Sequence, residues 1–246
     1  MRLHTREWGA GERTALLVHG MAVDSRTFNR LAAELVRRGY RVLAVDLRGH
    51  GRSPRGYYSP AALAADVAET VPAGVDLALG HSYGTVVLSL AAPRLAPRRV
   101  VYAEPYWNVV GEELPQVAAD YLADAAAAPG ERWTAQDVRD HEAARACWDP
   151  RTLLDLRRFD TPATPDPSAA PVLVQFAERS GYSAALDESD LRARGFEVHT
   201  VPDAGHNLHV DNLPATAASL DRWLGPAEPP GAAAGGGQAV GPKAAR

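Results

Sequence analysis

Short apolar runs bounded by Gly, Asp, Glu or Pro recur along the chain: Ala15 to Val18, Val42 to Val45, Val75 to Leu79, Val100 to Ala103, Val172 to Phe176 and Phe196 to Val201. Short apolar runs of this kind are how parallel strands buried on both faces read. Stretches of helical period lie between several of them. Thr27 to Arg38 sets Phe28, Leu31, Leu35 and Val36 on one stripe and ends at Gly39, while Tyr83 to Ala92 carries Val86, Val87 and Leu90 before Pro93, expected to stop it. Helices of this kind cross over between parallel strands, so the pattern predicts an α/β fold.

The spacing changes after Glu104. More than sixty residues pass before the strand opening at Pro171, too many for a bare loop. Glu112 to Ala128, Thr134 to Cys147 and Pro150 to Phe159 read as helices, the second with Thr134 as N-cap and Asp137 three residues later in a variant of the capping box. Trp107, Tyr121, Trp133, Trp148 and Phe159 gather in this insertion, either as its packing or as an apolar lining turned toward a ligand. A final helix is expected over Ala215 to Leu224. Residues 225–246 are rich in Gly, Pro and Ala and are expected to be disordered and without chemistry.

Composition narrows the function classes. The 246 residues, 46% hydrophobic and 23% charged, suit one soluble globular domain with a sizeable core. A formal net charge of -4 gives no general attraction for nucleic acid or anionic lipid. Cys147, the single cysteine, forms no internal disulfide and has no zinc-type spacing around it. No apolar run approaches the roughly 20 residues that span a bilayer. The charged start from Met1 to Trp8 sits where a secretory signal would need apolar residues, so cytoplasmic residence is expected.

Gly80-His81-Ser82-Tyr83-Gly84 follows one strand and opens one helix, the pattern of a nucleophile elbow, in which a sharp turn lifts the serine hydroxyl to the end of the sheet. Among eight histidines, His206 is the candidate base, because Ala204-Gly205-His206-Asn207 follows the last strand and emerges at the same carboxyl edge as Ser82. His209 is its near rival. His4 is expected at a frayed start, and His19, His50 and His81 in turns explained by their glycines. Backbone N–H groups of Met21, after Leu17-Val18-His19-Gly20, and of Tyr83 are candidate oxyanion donors.

From about Thr14 to Leu224 the chain resembles the α/β-hydrolase fold superfamily. The resemblance is carried by Val18-His19-Gly20-Met21, Asp46-Leu47-Arg48-Gly49-His50-Gly51-Arg52-Ser53, Gly80 to Gly84, and Gly205-His206, in that order. It implies a mostly parallel sheet with helices on both faces, built from residues 1–104 and 171–224, and a helical cap over about 105–170. It also makes Asp46 to Ser53 a structural turn. At the third triad member the chain departs from the family. Relatives commonly carry an Asp just after the strand that follows the cap; here that stretch is Ala177-Glu178-Arg179-Ser180, and a serine cannot hold an imidazolium. The family's second placement, at the end of the strand before the cap, is filled by Glu104; Glu178, Asp187 and Asp203 are the alternatives.

These readings give a serine hydrolase acting on a small ester, thioester or lactone, with Ser82 as nucleophile, His206 as base and Glu104 orienting it. Phe28, Tyr106, Trp107, Trp133 and Trp148, with Met21 and Tyr83, are candidate substrate lining. The resemblance implies no metal and no organic cofactor. An acyltransferase or cyclising thioesterase would use the same acyl-enzyme, and a non-catalytic binding protein would keep only the fold.

Overall fold

In a computed structural model of the protein, residues 1–110, 130–156, 158–166, 170–180 and 186–226 are described. The expected helix at Glu112 to Ala128 and nearly all of the expected tail lie outside them. Seven strands form one sheet in the order β1-β3-β2-β4-β5-β6-β7. They are β1 (Thr5–Trp8), β2 (Arg13–Val18), β3 (Tyr40–Val45), β4 (Leu77–His81), β5 (Val100–Ala103), β6 (Val172–Ala177) and β7 (Glu197–Val201). Only β1 runs antiparallel to its neighbour.

All six expected strands are present, with shifted ends. The seventh, β1, carries the sequence Thr-Arg-Glu-Trp, has no apolar run and is half exposed at the sheet edge. His4 beside it is not frayed: its carbonyl accepts the Asp46 N–H at 2.9 Å and its ring lies against the Asp46 carboxylate at 3.1 Å.

Helices cover both faces. Ser25–Phe28 forms a 3-10 turn leading into α1 (Asn29–Arg37), so the expected single helix is divided, and Gly39 beyond it has a φ of 81° that favours glycine. The next is α2 (Pro60–Thr70), with Ser59 as N-cap and proline in the first turn. The helix after the elbow, α3 (Tyr83–Leu95), runs through Pro93 instead of stopping before it. Pro93 is exposed near the helix end, where water can reach the carbonyl it leaves unbonded.

Between β5 and β6 come α4 (Ala135–Ala146) and α5 (Arg151–Leu156), and the Thr134/Asp137 capping box at the start of α4 is complete in both directions. The chain then continues through α6 (Glu188–Ala193), α7 (Leu208–Asp211) and α8 (Leu213–Leu224). One apolar cluster packs α2, α3 and residues 106–107 and 148–156 on one face of the sheet; a second packs α1 and α8 on the other. Among the described residues no helix is long and apolar enough to cross a membrane.

Sheet order decides where chemistry can sit. The chain moves outward from β2 to β3, then returns to lay β4 on the other side of β2. At such a reversal the loops leaving β2 and β4 part, and a crevice opens at the carboxyl ends of the strands. His19-Gly20-Met21 leaves β2 there and Ser82 leaves β4.

Candidate active site

Ser82 has φ 52° and ψ -124°, a conformation that non-glycine residues rarely hold. The turn is enforced by close packing: a Cβ on Gly84 would stand 2.3 Å from the Val18 carbonyl oxygen, and one on Gly80 would stand 2.6 Å from that of Gly84. The Ser82 N–H donates to the Ala103 carbonyl at 2.9 Å, tying the elbow to β5.

His206 Nε2 stands 2.9 Å from Ser82 Oγ, and His206 Nδ1 stands 3.4 Å from Glu104 Oε2. The three side chains arrive from β4, β5 and the loop after β7, and are 5%, 0% and 7% exposed for Ser82, Glu104 and His206. In the neutral tautomer this geometry favours, the serine hydroxyl donates to Nε2 and Nδ1–H donates to the carboxylate. Glu104 itself has a positive φ, 51°, and its second oxygen, Oε1, accepts the Ala177 N–H at 2.6 Å.

The rival acids are engaged elsewhere. Glu178 accepts the Asp203 N–H at 2.8 Å, Asp203 pairs with Arg179 and Arg132, and Asp187 caps α6 through the Ser189 N–H at 2.8 Å. His209 does not meet the serine. Its Nε2 lies 3.2 Å from Thr27 Oγ1, whose hydroxyl also faces His141 at 3.4 Å, and burial pushes its pKa down to about 3.

The loop after β2 is shaped by two buried histidines. His19 accepts the Leu47 N–H at Nε2 (2.9 Å) and donates from Nδ1 to the Gly20 carbonyl (2.6 Å). His50 accepts the Ala22 N–H at Nε2 (3.3 Å) and donates from Nδ1 to the Arg48 carbonyl (3.1 Å). Both need a lone pair on Nε2, and burial holds both below the ordinary histidine range, His50 at about 3. Gly20 lies against the elbow, since a Cβ there would be 2.9 Å from Ser82 Cβ. Thr152 accepts from Trp148 Nε1 at 2.6 Å, donates to the Asp149 carbonyl at 2.8 Å and lies 3.4 Å from Met21 Sδ. The Asp46 carboxylate accepts the N–H groups of Ser25 and Arg52, each at 2.9 Å, which fits the structural turn expected of that segment.

His81 does more than fill a turn: its Nε2–H donates to the His206 carbonyl at 2.8 Å, fixing the histidine loop against β4. Gly205 does not take the left-handed conformation. A Cβ there would meet the Asp211 carboxylate at 2.9 Å. Asp211 also accepts from Trp133 Nε1 at 2.6 Å, so the segment before α4 is tied to α7.

The expected lining residues divide. Met21, Tyr83, Tyr106, Trp107 and Trp148 share one apolar cluster. Phe28 is in the other cluster with its ring 4.9 Å from His209, and Trp133 packs its ring 4.4 Å from His141. Among the described residues no group of three or more His, Cys, Asp or Glu side chains is arranged to hold a metal ion.

Residues 15–219 match the profile of the Alpha/beta hydrolase family. The chain belongs to that family. It is 29% identical over 238 residues to sn-1-specific diacylglycerol lipase ABHD11 of Mus musculus, covering 80% of this chain and 76% of that one. It is also 29% identical over 126 residues to a serine hydrolase-like protein of Dictyostelium discoideum, a match spanning 46% of this chain and only 34% of the relative. Among solved structures, a bromoperoxidase from Bacillus anthracis superposes with a TM-score of 0.74 at 16% identity, covering 89% of this chain and 94% of that one. A hydrolase from Pseudomonas aeruginosa does so with 0.70 at 23%, covering 90% and 94%. These likenesses establish the α/β-hydrolase fold.

Proposed function

We propose that the protein is a serine hydrolase that cleaves a carboxylic ester, thioester or lactone of a small molecule through an acyl-enzyme on Ser82. The observation that carries this reading is the 2.9 Å contact between Ser82 Oγ and His206 Nε2, with the Glu104 carboxylate behind the same ring. Similarity to a relative named as a lipase supports an ester among the carbonyl substrates such a site can attack.

Ser82 Oγ attacks the carbonyl carbon while His206 Nε2 takes the hydroxyl proton. The resulting imidazolium is held by Glu104, and the tetrahedral oxyanion is held by the N–H groups of Met21 and Tyr83, the latter among the unbonded donors of the first turn of α3. Collapse breaks the bond to the leaving oxygen or sulfur, which receives the proton from His206. Water, deprotonated by the same nitrogen, then attacks the acyl-enzyme and releases the acid and free Ser82.

The test is covalent. A fluorophosphonate should label the folded wild type on Ser82, located by peptide mass spectrometry, and should leave Ser82→Ala unlabelled. Folded wild type that takes no label would overturn the reading.

A further inference from the structure

Two hydrogen-bond donors in the apolar cluster that also holds Met21 and Trp148 end without a partner. The Tyr83 hydroxyl and the Trp107 indole N–H are both buried and have no hydrogen-bond partner among the described residues. Tyr83 follows Ser82 directly and opens α3 at the carboxyl edge of the sheet. Its ring packs against that of Tyr106, with centroids 6.3 Å apart, and Met21 and Trp148 belong to the same cluster. Burying a hydroxyl with nothing to bond is unfavourable, and a phenylalanine would fill nearly the same volume without that cost. A polar group kept in this state next to a nucleophile is a group kept for something that arrives.

The chemistry of the arriving group follows from the Tyr83 phenol. A protonated phenol gives its hydrogen more readily than it accepts one, so the partner it calls for is an acceptor. Burial raises the Tyr83 pKa and keeps the phenol protonated; the ionisable neighbour acting on it is another phenol, that of Tyr106. A carboxylate would need a cation in such a place, and a second hydroxyl would bring a proton needing its own acceptor. A carbonyl oxygen needs neither.

We propose that Tyr83 is a specificity-determining residue whose hydroxyl donates to a neutral carbonyl oxygen on the acyl chain, beyond the scissile carbonyl. The protein then prefers oxo-acyl esters or thioesters to their plain hydrocarbon counterparts. This rests on the ester-hydrolase reading of Ser82.

The experiment compares kcat/KM within matched pairs of p-nitrophenyl esters: 4-oxopentanoate against pentanoate and 5-oxohexanoate against hexanoate. Wild type should favour the oxo member of at least one pair by about tenfold or more, the scale of one buried hydrogen bond. In Tyr83→Phe that ratio should fall toward unity, whatever happens to the absolute rates, and the variant should melt no lower than wild type. Turnover of plain esters with no oxo preference in either pair overturns the proposal while sparing the hydrolase reading, as does a Tyr83→Phe variant that keeps the preference. Folded wild type that neither turns over any ester nor takes a fluorophosphonate label removes both. If Tyr83→Phe does not fold, the wild-type ratios decide.

Discussion

Glu104 Oε1 accepts the backbone N–H of Ala177 at 2.6 Å, so one oxygen of this carboxylate is spent on the end of β6 while the other faces His206. Glu104→Gln can keep the first bond through its amide oxygen. Its NH2 group then faces Nδ1 and imposes the wrong histidine tautomer. We expect kcat on p-nitrophenyl esters to fall by about 10²–10⁴-fold with little loss of stability, as for the loss of charge on a triad acid elsewhere. Glu178→Gln, whose carboxylate serves the Asp203 N–H, should stay within about threefold of wild type. The reverse ranking in steady-state kinetics would assign the acid to Glu178.

The two glycines facing the elbow should fail differently. A Cβ at Gly84 meets the Val18 carbonyl at 2.3 Å, main chain that cannot swing aside, so Gly84→Ala should lose about 3 kcal/mol or more in urea unfolding. At Gly20 the nearest atom is Ser82 Cβ at 2.9 Å, with Oγ at 3.3 Å. Gly20→Ala should therefore lower the urea midpoint too, the His81 carbonyl also lying 3.3 Å away, but it pushes on Ser82 itself, so the variant that remains folded should in addition lose kcat.

Acid should unfold the protein early. Burial lowers the pKa values of His19, His50, His81, His141 and His209, so the folded state keeps them neutral while the unfolded chain takes up protons near 6.5. Their stabilisation is complete above about pH 6.5 and is lost as pH falls from there toward the folded values. For His50 and His209, held at about 3, linkage gives about 2 kcal/mol each by pH 5. Urea midpoints at pH 7.5 and 5 should fall accordingly, and a flat profile over that range would contradict the buried neutral assignment.

Trp133→Phe removes the 2.6 Å bond to Asp211 while keeping most of the ring. We expect a loss of about 1–2 kcal/mol, since the acceptor is charged. Cleavage near residue 130 in limited proteolysis should quicken. Unchanged stability and cleavage would show that this tie does not hold the segment.

The five inner strands were readable because each holds a largely apolar run, and the elbow because its glycines, strand and helix coincide in sequence. Edge strand β1 was not, because with water on one side and a single neighbour it needs no such run. Helix α2 carried a signal that could have been used, Ser59 before Pro60, ahead of an Ala-rich stretch with little periodicity. Glu104 could be suggested from chain order, but its contact with Ala177 joins residues 73 apart and exists only once β5 and β6 pair. The work of His81 on the His206 carbonyl is hidden for the same reason, the two lying 125 positions apart.

Ser82 and His206 are 124 residues apart, and the strand that delivers the histidine is the last of the seven in the sheet. A chain still emerging from the ribosome thus presents its serine long before any base can reach it. On the serine-hydrolase reading, Ser82 would be activated only once β7 docks on β6, so ester cleavage would begin with the finished polypeptide.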